Sequence, residues 1–148
     1  MSARVHPSAI VDPGARVPQS CTIGPFCIVG VDVEMGENCE LISHVVMGGP
    51  TKIGSNNRVF PFTTIGLEPQ DLKFKGEKTR LEIGNNNVIR ESVTIHRGTT
   101  AGLGVTRIGS NCLIMAYTHI AHDCEIADNV IMANAATLAG HVTVEEYA

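Results

Sequence analysis

The chain has 148 residues, 43% of them hydrophobic, and a formal net charge of −4. That length suits one domain, the charge gives no electrostatic case for nucleic acid, and no stretch approaches the ~20 apolar residues of a membrane span. Only 4% is aromatic and Trp is absent, so a core must be filled by small and branched aliphatic side chains.

The N-terminus, Met1-Ser2-Ala3-Arg4-Val5-His6-Pro7, holds no apolar run that could serve as a secretory signal, and a cytoplasmic protein is expected. From Val5 a beat of six begins: Val5, Val11, Val17, Ile23, Val29, Met35, Leu41, Met47, Ile53, Val59 and Ile65. It resumes at Ile83, Ile89 and Ile95, and again from Ile108 through Ile114, Ile120, Ile126, Met132 and Leu138 to Val144. A hexapeptide period predicts a parallel β-helix, all-β, three short strands to each 18-residue coil. About seven coils stacked at ~4.8 Å would form a prism on the order of 35 Å tall.

Counting the beat as position one, position five is small: Ala9, Cys21, Cys27, Cys39, Val45, Cys112, Thr118 and Cys124 are examples. Positions five and one lie two apart, so on a strand they face the same side. All five cysteines occupy position five, where Cys acts as a compact hydrophobe, and this argues against a disulfide or metal role. Gly follows the beat eight times, where the chain is expected to leave the strand and bend. Outward residues Ile10, Ile28 and Val46 recur once per coil, a column suited to subunit contact; Leu113 and Ile131 repeat that spacing later, on the same face or another.

The beat breaks twice, over Leu67–Arg80 and over His96–Arg107, and insertions in solenoids leave as external loops, often beside a binding face. Seven of the 11 Lys and Arg fall between Lys73 and Arg107. Such a zone suits an anionic ligand or an acidic carrier, or is a solvated charged loop. The sequence stops at Ala148 within a hexad, and neither a helix nor a polar cap follows the last repeat. Residues 1–148 are therefore expected to be one β-helix domain truncated before further coils.

Four histidines converge in this register. His96 follows Ile95, His122 lies two after Ile120 and His141 three after Leu138, so the three stack along one face or its adjoining corner. His119 points outward on the strand entering that corner. An imidazole titrating near neutrality suits general-base chemistry, and Asp123 beside His122 could fix its tautomer. His6 and His44 lie far from this group.

Three segments give the chain a resemblance to a family. They are Gln70-Asp71-Leu72-Lys73, Ile89-Arg90-Glu91-Ser92-Val93-Thr94-Ile95-His96-Arg97-Gly98-Thr99, and His119-Ile120-Ala121-His122-Asp123-Cys124 with Asn134 to Val142. In this order they resemble the bacterial UDP-N-acetylglucosamine O-acyltransferases of lipid A synthesis, from about Val5 to the end. The resemblance implies a left-handed coil and transfer of an R-3-hydroxyacyl chain from acyl carrier protein to the glucosamine 3-hydroxyl of UDP-GlcNAc. It implies His122 as general base, Asp123 as its orienting partner and Gly140 as the oxyanion-facing N–H. Gln70, Asp71, Lys73, His96, His119 and His141 match residues that hold the sugar nucleotide or line the site. It also implies a homotrimer with sites in clefts between subunits, no metal, and no cofactor beyond the carrier's phosphopantetheine. The family continues through more coils and a helical C-terminal domain, which this sequence lacks.

Three alternatives stand beside it. The sister N-acyltransferase carries an extra N-terminal domain, whereas this sequence enters the repeat at once. A γ-type carbonic anhydrase binds zinc with more widely spaced histidines on the same fold. A non-catalytic trimeric scaffold is the third.

Overall fold

A computed structural model describes residues 3–148. The chain winds through three parallel sheets of seven, seven and six strands, each strand two to four residues long. The first sheet runs from Arg4–Val5 to Ile131–Met132, the second from Ile10–Val11 to Thr137–Leu138, and the third from Val33–Met35 to Thr143–Val144. Partners are normally 18 residues apart, as in Ile10↔Ile28 and His119↔Thr137. The two insertions stretch this spacing within the second sheet, where Thr64 pairs with Thr94 and Thr94 with His119. Among the described residues no helix is long and apolar enough to cross a membrane.

The beat residues from Ile23 to Met132 are buried in one continuous core, joined by the position-five residues. At each end of the column, Val11, Val17, Leu138 and Val144 pack against that core half-buried. All five cysteines are buried and free. Several turn their sulfur toward a carbonyl one coil on, as Cys39 does to Gly54 at 3.0 Å and Cys124 to Ala139 at 3.1 Å. Burial pushes their thiol pKa values up, so they remain neutral filler.

The bend lies elsewhere than expected. The left-handed conformation falls at position four, on residues with side chains: Phe26 (φ 58°), Asn38 (φ 57°), Asp123 (φ 60°) and His141 (φ 66°) among them. Gly at position two, apart from Gly66 (φ 79°), answers a different need, the close approach of successive coils. A Cβ on Gly24 would fall 1.8 Å from the Ile42 carbonyl oxygen, and one on Gly84 2.7 Å from that of Gly109.

Two inward sites break the aliphatic pattern. Asn57 and Asn87 are buried and stacked, with the Asn87 N–H donating to Asn57 Oδ1 at 2.9 Å. Their side-chain amides donate to the carbonyls of Gly84 and Gly109, and Asn87 Oδ1 accepts the Cys112 N–H at 2.8 Å. This polar ladder pairs backbone groups that the turns leave open.

The outer surface resolves the remaining expectations. The Ile10, Ile28 and Val46 column lies on the second sheet and continues as Thr64, Thr94, His119 and Thr137. Leu113 and Ile131 stand on the first sheet, a different face. The basic zone is not one patch. Lys78 pairs with Asp32, Arg80 with Glu82, Arg90 with Glu91, and Arg107 with Glu82 and Glu125. Arg107 and its carboxylates extend a rung order of alternating sign, Glu34, Lys52, Glu82, Arg107, Glu125, up the third sheet.

Candidate active site

The histidines meet where the second sheet turns toward the third. His96 ends the strand Thr94–His96, and His119 opens the strand His119–Ile120 of the next coil. Their rings meet edge to face, 5.1 Å apart. His122 lies in the turn after Ile120, and its ring meets that of His141, one coil on, again at 5.1 Å and near perpendicular. The period thus brings together all four imidazoles expected to converge.

Asp123 organises the corner. Its side chain is fully buried, and its Oδ2 lies 2.8 Å from His122 Nδ1. The carboxylate also accepts the Thr99 main-chain N–H at 3.0 and 3.2 Å, the Thr99 hydroxyl at 2.5 Å and the Gly104 N–H at 3.2 Å. Burial alone would push its pKa up; the Thr99 donors and His122 outweigh that and hold the carboxyl below its ordinary value. An ionised carboxylate only accepts, so His122 Nδ1 carries the proton and Nε2 keeps the lone pair.

Gly140 closes on the imidazole. A Cβ at this position would fall 2.4 Å from His122 Cε1 and 2.7 Å from Nε2. Only a bare backbone fits so near the ring.

His96 is 6% exposed, and its Nδ1 has no hydrogen-bond partner. Burial, together with His119 and His122 nearby, lowers its pKa to about 4. Burial also lowers that of His119, whose Nδ1 lies 2.7 Å from the Thr94 hydroxyl. Both rings are therefore neutral hydrogen-bonding groups at neutral pH.

Gln70, Asp71 and Lys73 sit apart, on the first insertion. Asp71 Oδ1 caps a tight turn by accepting the Lys73 N–H at 2.9 Å, and Leu72 at its tip is 98% exposed. No hydrogen bond among the described residues ties this turn to the histidines.

Donor atoms of His122, Asp123 and His141 lie within 4.8 Å of one another, the separation a metal-binding trio could have. The chemistry points another way. Asp123 Oδ2 already receives Thr99 and His122, and Oδ1 receives Thr99 and Gly104, so the carboxylate is committed to hydrogen bonds.

Thr99, Gly104 and Thr106 were not among the expected site residues. Thr106 accepts the Asp123 main-chain N–H at 2.9 Å. Their traces in the sequence are the place of Thr99 at the end of the segment Ile89 to Thr99 and the Gly- and Thr-rich composition of the second insertion.

Residues 106–140 match the model of the bacterial transferase hexapeptide, six repeats. Fold and repeat together define a left-handed hexapeptide β-helix, the fold of the solved structures on which the chain superposes. Its sequence is similar to those of UDP-N-acetylglucosamine O-acyltransferases. It is 57% identical over 144 residues to the acyl-[acyl-carrier-protein]–UDP-N-acetylglucosamine O-acyltransferase of Thermodesulfovibrio yellowstonii, covering 97% of this chain and 56% of that one. A solved structure of the Acinetobacter baumannii protein superposes with a TM-score of 0.93 at 52% identity, covering 94% of this chain and 54% of that one. The UDP-N-acetylglucosamine acyltransferase from Campylobacter jejuni gives 0.90 at 43%, over 95% and 54%. The chain thus spans about half the length of the relatives it matches.

Proposed function

We propose that this chain carries the catalytic base of an O-acyltransferase that moves an R-3-hydroxyacyl group from acyl carrier protein to the glucosamine 3-hydroxyl of UDP-GlcNAc. The observation that carries the reading is the 2.8 Å contact from His122 Nδ1 to buried Asp123, which leaves Nε2 free beside the Gly140 backbone. In this mechanism Nε2 takes the proton of the sugar hydroxyl as its oxygen attacks the thioester carbon. The imidazolium is stabilised by Asp123. The Gly140 N–H, which no hydrogen bond among the described residues engages, donates to the developing oxyanion. Collapse breaks the C–S bond, and the departing pantetheine thiolate recovers the proton from His122.

His96, His119 and His141 line the pocket as donors and acceptors for the sugar nucleotide. Gln70, Asp71 and Lys73 serve the site from another subunit of a homotrimer. Two features support this: their turn is exposed and unattached to the histidines of its own chain, and Ile10 and Ile28 present an apolar column 64% and 43% exposed. The remaining half of the relatives' length supplies further coils and a C-terminal domain.

The test is a transfer assay of the complete gene product with UDP-GlcNAc, its 3-amino analogue and carriers of several acyl lengths. Acylated UDP-GlcNAc is the expected product. Acylation of the 3-amino analogue alone would replace the oxygen nucleophile with nitrogen, and no transfer to either sugar would end the reading.

A further inference from the structure

The second insertion, residues 97–104, folds back over the histidine corner. Its start is pinned by the Arg97 N–H to the Leu67 carbonyl at 3.2 Å and the Gly98 N–H to that of Arg80 at 3.1 Å. Its end is held by the Arg80 N–H donating to the Gly104 carbonyl at 3.1 Å. Between these anchors Gly102 presses on the site: a Cβ there would fall 2.5 Å from Asp123 Cγ and 2.7 Å from His141 Cε1. The loop therefore has a fixed path, and Thr99 is delivered onto Asp123.

The two carboxylate oxygens are used differently. Oδ1 receives only main-chain N–H groups, from Thr99 and Gly104. Oδ2 receives the two side-chain donors, the Thr99 hydroxyl at 2.5 Å and His122 Nδ1 at 2.8 Å, besides a longer contact from the Thr99 N–H at 3.2 Å. Two side-chain donors on one oxygen share its charge, and in a buried site no water screens that competition.

We infer that Thr99 is a positioning residue for the base: its hydroxyl, donated to Asp123 Oδ2, limits how strongly that oxygen holds the His122 Nδ1 proton and so keeps the imidazole free to release its own. The catalytic meaning rests on the acyltransferase reading; the competition for Oδ2 does not. The other titratable groups facing this pair are His96, His119 and His141, with the Cys124 thiol, kept neutral by burial, next to Asp123. Asp123 is the one carboxylate in the group. Removing the Thr99 hydroxyl leaves Oδ2 to His122 and the longer main-chain contact from Thr99 at 3.2 Å, which stabilises the imidazolium and makes His122 more basic.

The test is a pH titration of the histidine Cε1–H resonances by NMR, in the 148-residue chain and its Thr99→Val and Thr99→Ser variants. The His122→Gln spectrum assigns the signal. Thr99→Val is expected to raise the His122 midpoint by about half a pH unit, and Thr99→Ser, which restores a hydroxyl, to return it. An unchanged or lowered midpoint in a variant with the wild-type circular dichroism spectrum would overturn the role. Should valine prevent folding, Thr99→Ala removes the same hydroxyl with less bulk and is read in the same way. In the complete gene product, Thr99→Val should lower kcat about tenfold at unchanged KM and move the acidic limb of the rate profile upward with the NMR midpoint. A shift without any wild-type transfer would remove the acyltransferase reading and keep the role of Thr99. Transfer without the shift would do the reverse.

Discussion

His122 Nδ1 and Asp123 Oδ2 lie 2.8 Å apart although the two residues are sequence neighbours. Adjacent side chains on a strand point to opposite sides. Here they meet because Asp123 occupies the left-handed position of the turn, φ 60°, which swings its carboxylate back toward the preceding imidazole. The same turn aims the Asp123 N–H at Thr106 and the carboxylate at Thr99. A corner residue of the solenoid is thus held against the imidazole that precedes it.

Replacing His122 by Ala should lower transfer by about two to four orders of magnitude, the range general-base catalysis supplies. The imidazole lies in a turn outside the core, so the β-helix should persist. Steady-state kinetics and circular dichroism check both halves. Turnover near wild type would remove the base assignment.

Asp123→Asn should cost stability as well as activity. An amide offers one acceptor oxygen where the carboxylate offers two, and four donor contacts from Thr99 and Gly104 converge there. An unpaired buried donor costs about 1–3 kcal/mol. Because the folded pKa of Asp123 is depressed, its contribution is present above the ordinary value of ~3.9 and is lost as pH falls toward the lower folded value. Urea unfolding of wild type and Asp123→Asn should therefore converge on acidification below pH ~4. A constant gap between the two curves down to pH 2 would contradict this account.

The pH window for His96 is different. Its folded pKa of about 4 lies below the ordinary 6.5, so between those values the unfolded chain binds the extra proton. Stability should rise with pH across that window and level off above it. His96→Gln should flatten the slope, a result readable from urea midpoints at pH 4.5 and pH 7. An equally steep wild-type and mutant slope would show that His96 is not the group responsible.

Gly140→Ala isolates the approach of backbone to base. The new Cβ would stand 2.4 Å from His122 Cε1, too near for the ring to stay, while a methyl at this half-buried corner lies outside the core. Transfer should fall at least about tenfold with the melting temperature within a few degrees of wild type. Activity equal to wild type would mean that the ring and the Gly140 backbone are not held together during catalysis.

Much of this fold was legible because a six-residue beat admits one geometry. Inward residues from Ile23 to Met132, the cysteine sites and the stacking of His96, His122 and His141 all follow from counting. Where the chain leaves the period, counting fails. The paths of residues 68–79 and 97–104 are set by contacts such as Arg97 to Leu67 and Thr99 to Asp123, which no spacing encodes. The basic zone misled because residues close in sequence were dispersed: Arg80 and Arg107 joined carboxylates on the third sheet, while Arg97 stacked on Phe74. Glycines misled for another reason. A composition rich in Gly reads as bends, yet at position two the requirement is the approach of the next coil's carbonyl.

Asn87 offers a test of the solenoid itself. It fills an inward slot where Val, Cys or Thr would ordinarily stand, with its side chain fully buried. Its Oδ1 accepts the Cys112 N–H at 2.8 Å and its Nδ2 donates to the Gly109 carbonyl at 2.9 Å. Both partners belong to the next coil, so one side chain ties consecutive turns where the sheets do not. Asn87→Leu keeps the γ-branched outline and leaves both backbone groups unpaired in a site water does not reach, at about 1–3 kcal/mol each. The urea midpoint should fall accordingly. Asn87→Val, although it suits the aliphatic pattern, should be no better. If either variant unfolds at the wild-type midpoint, the buried amides are filler and the carbonyl of Gly109 and amide of Cys112 find other partners.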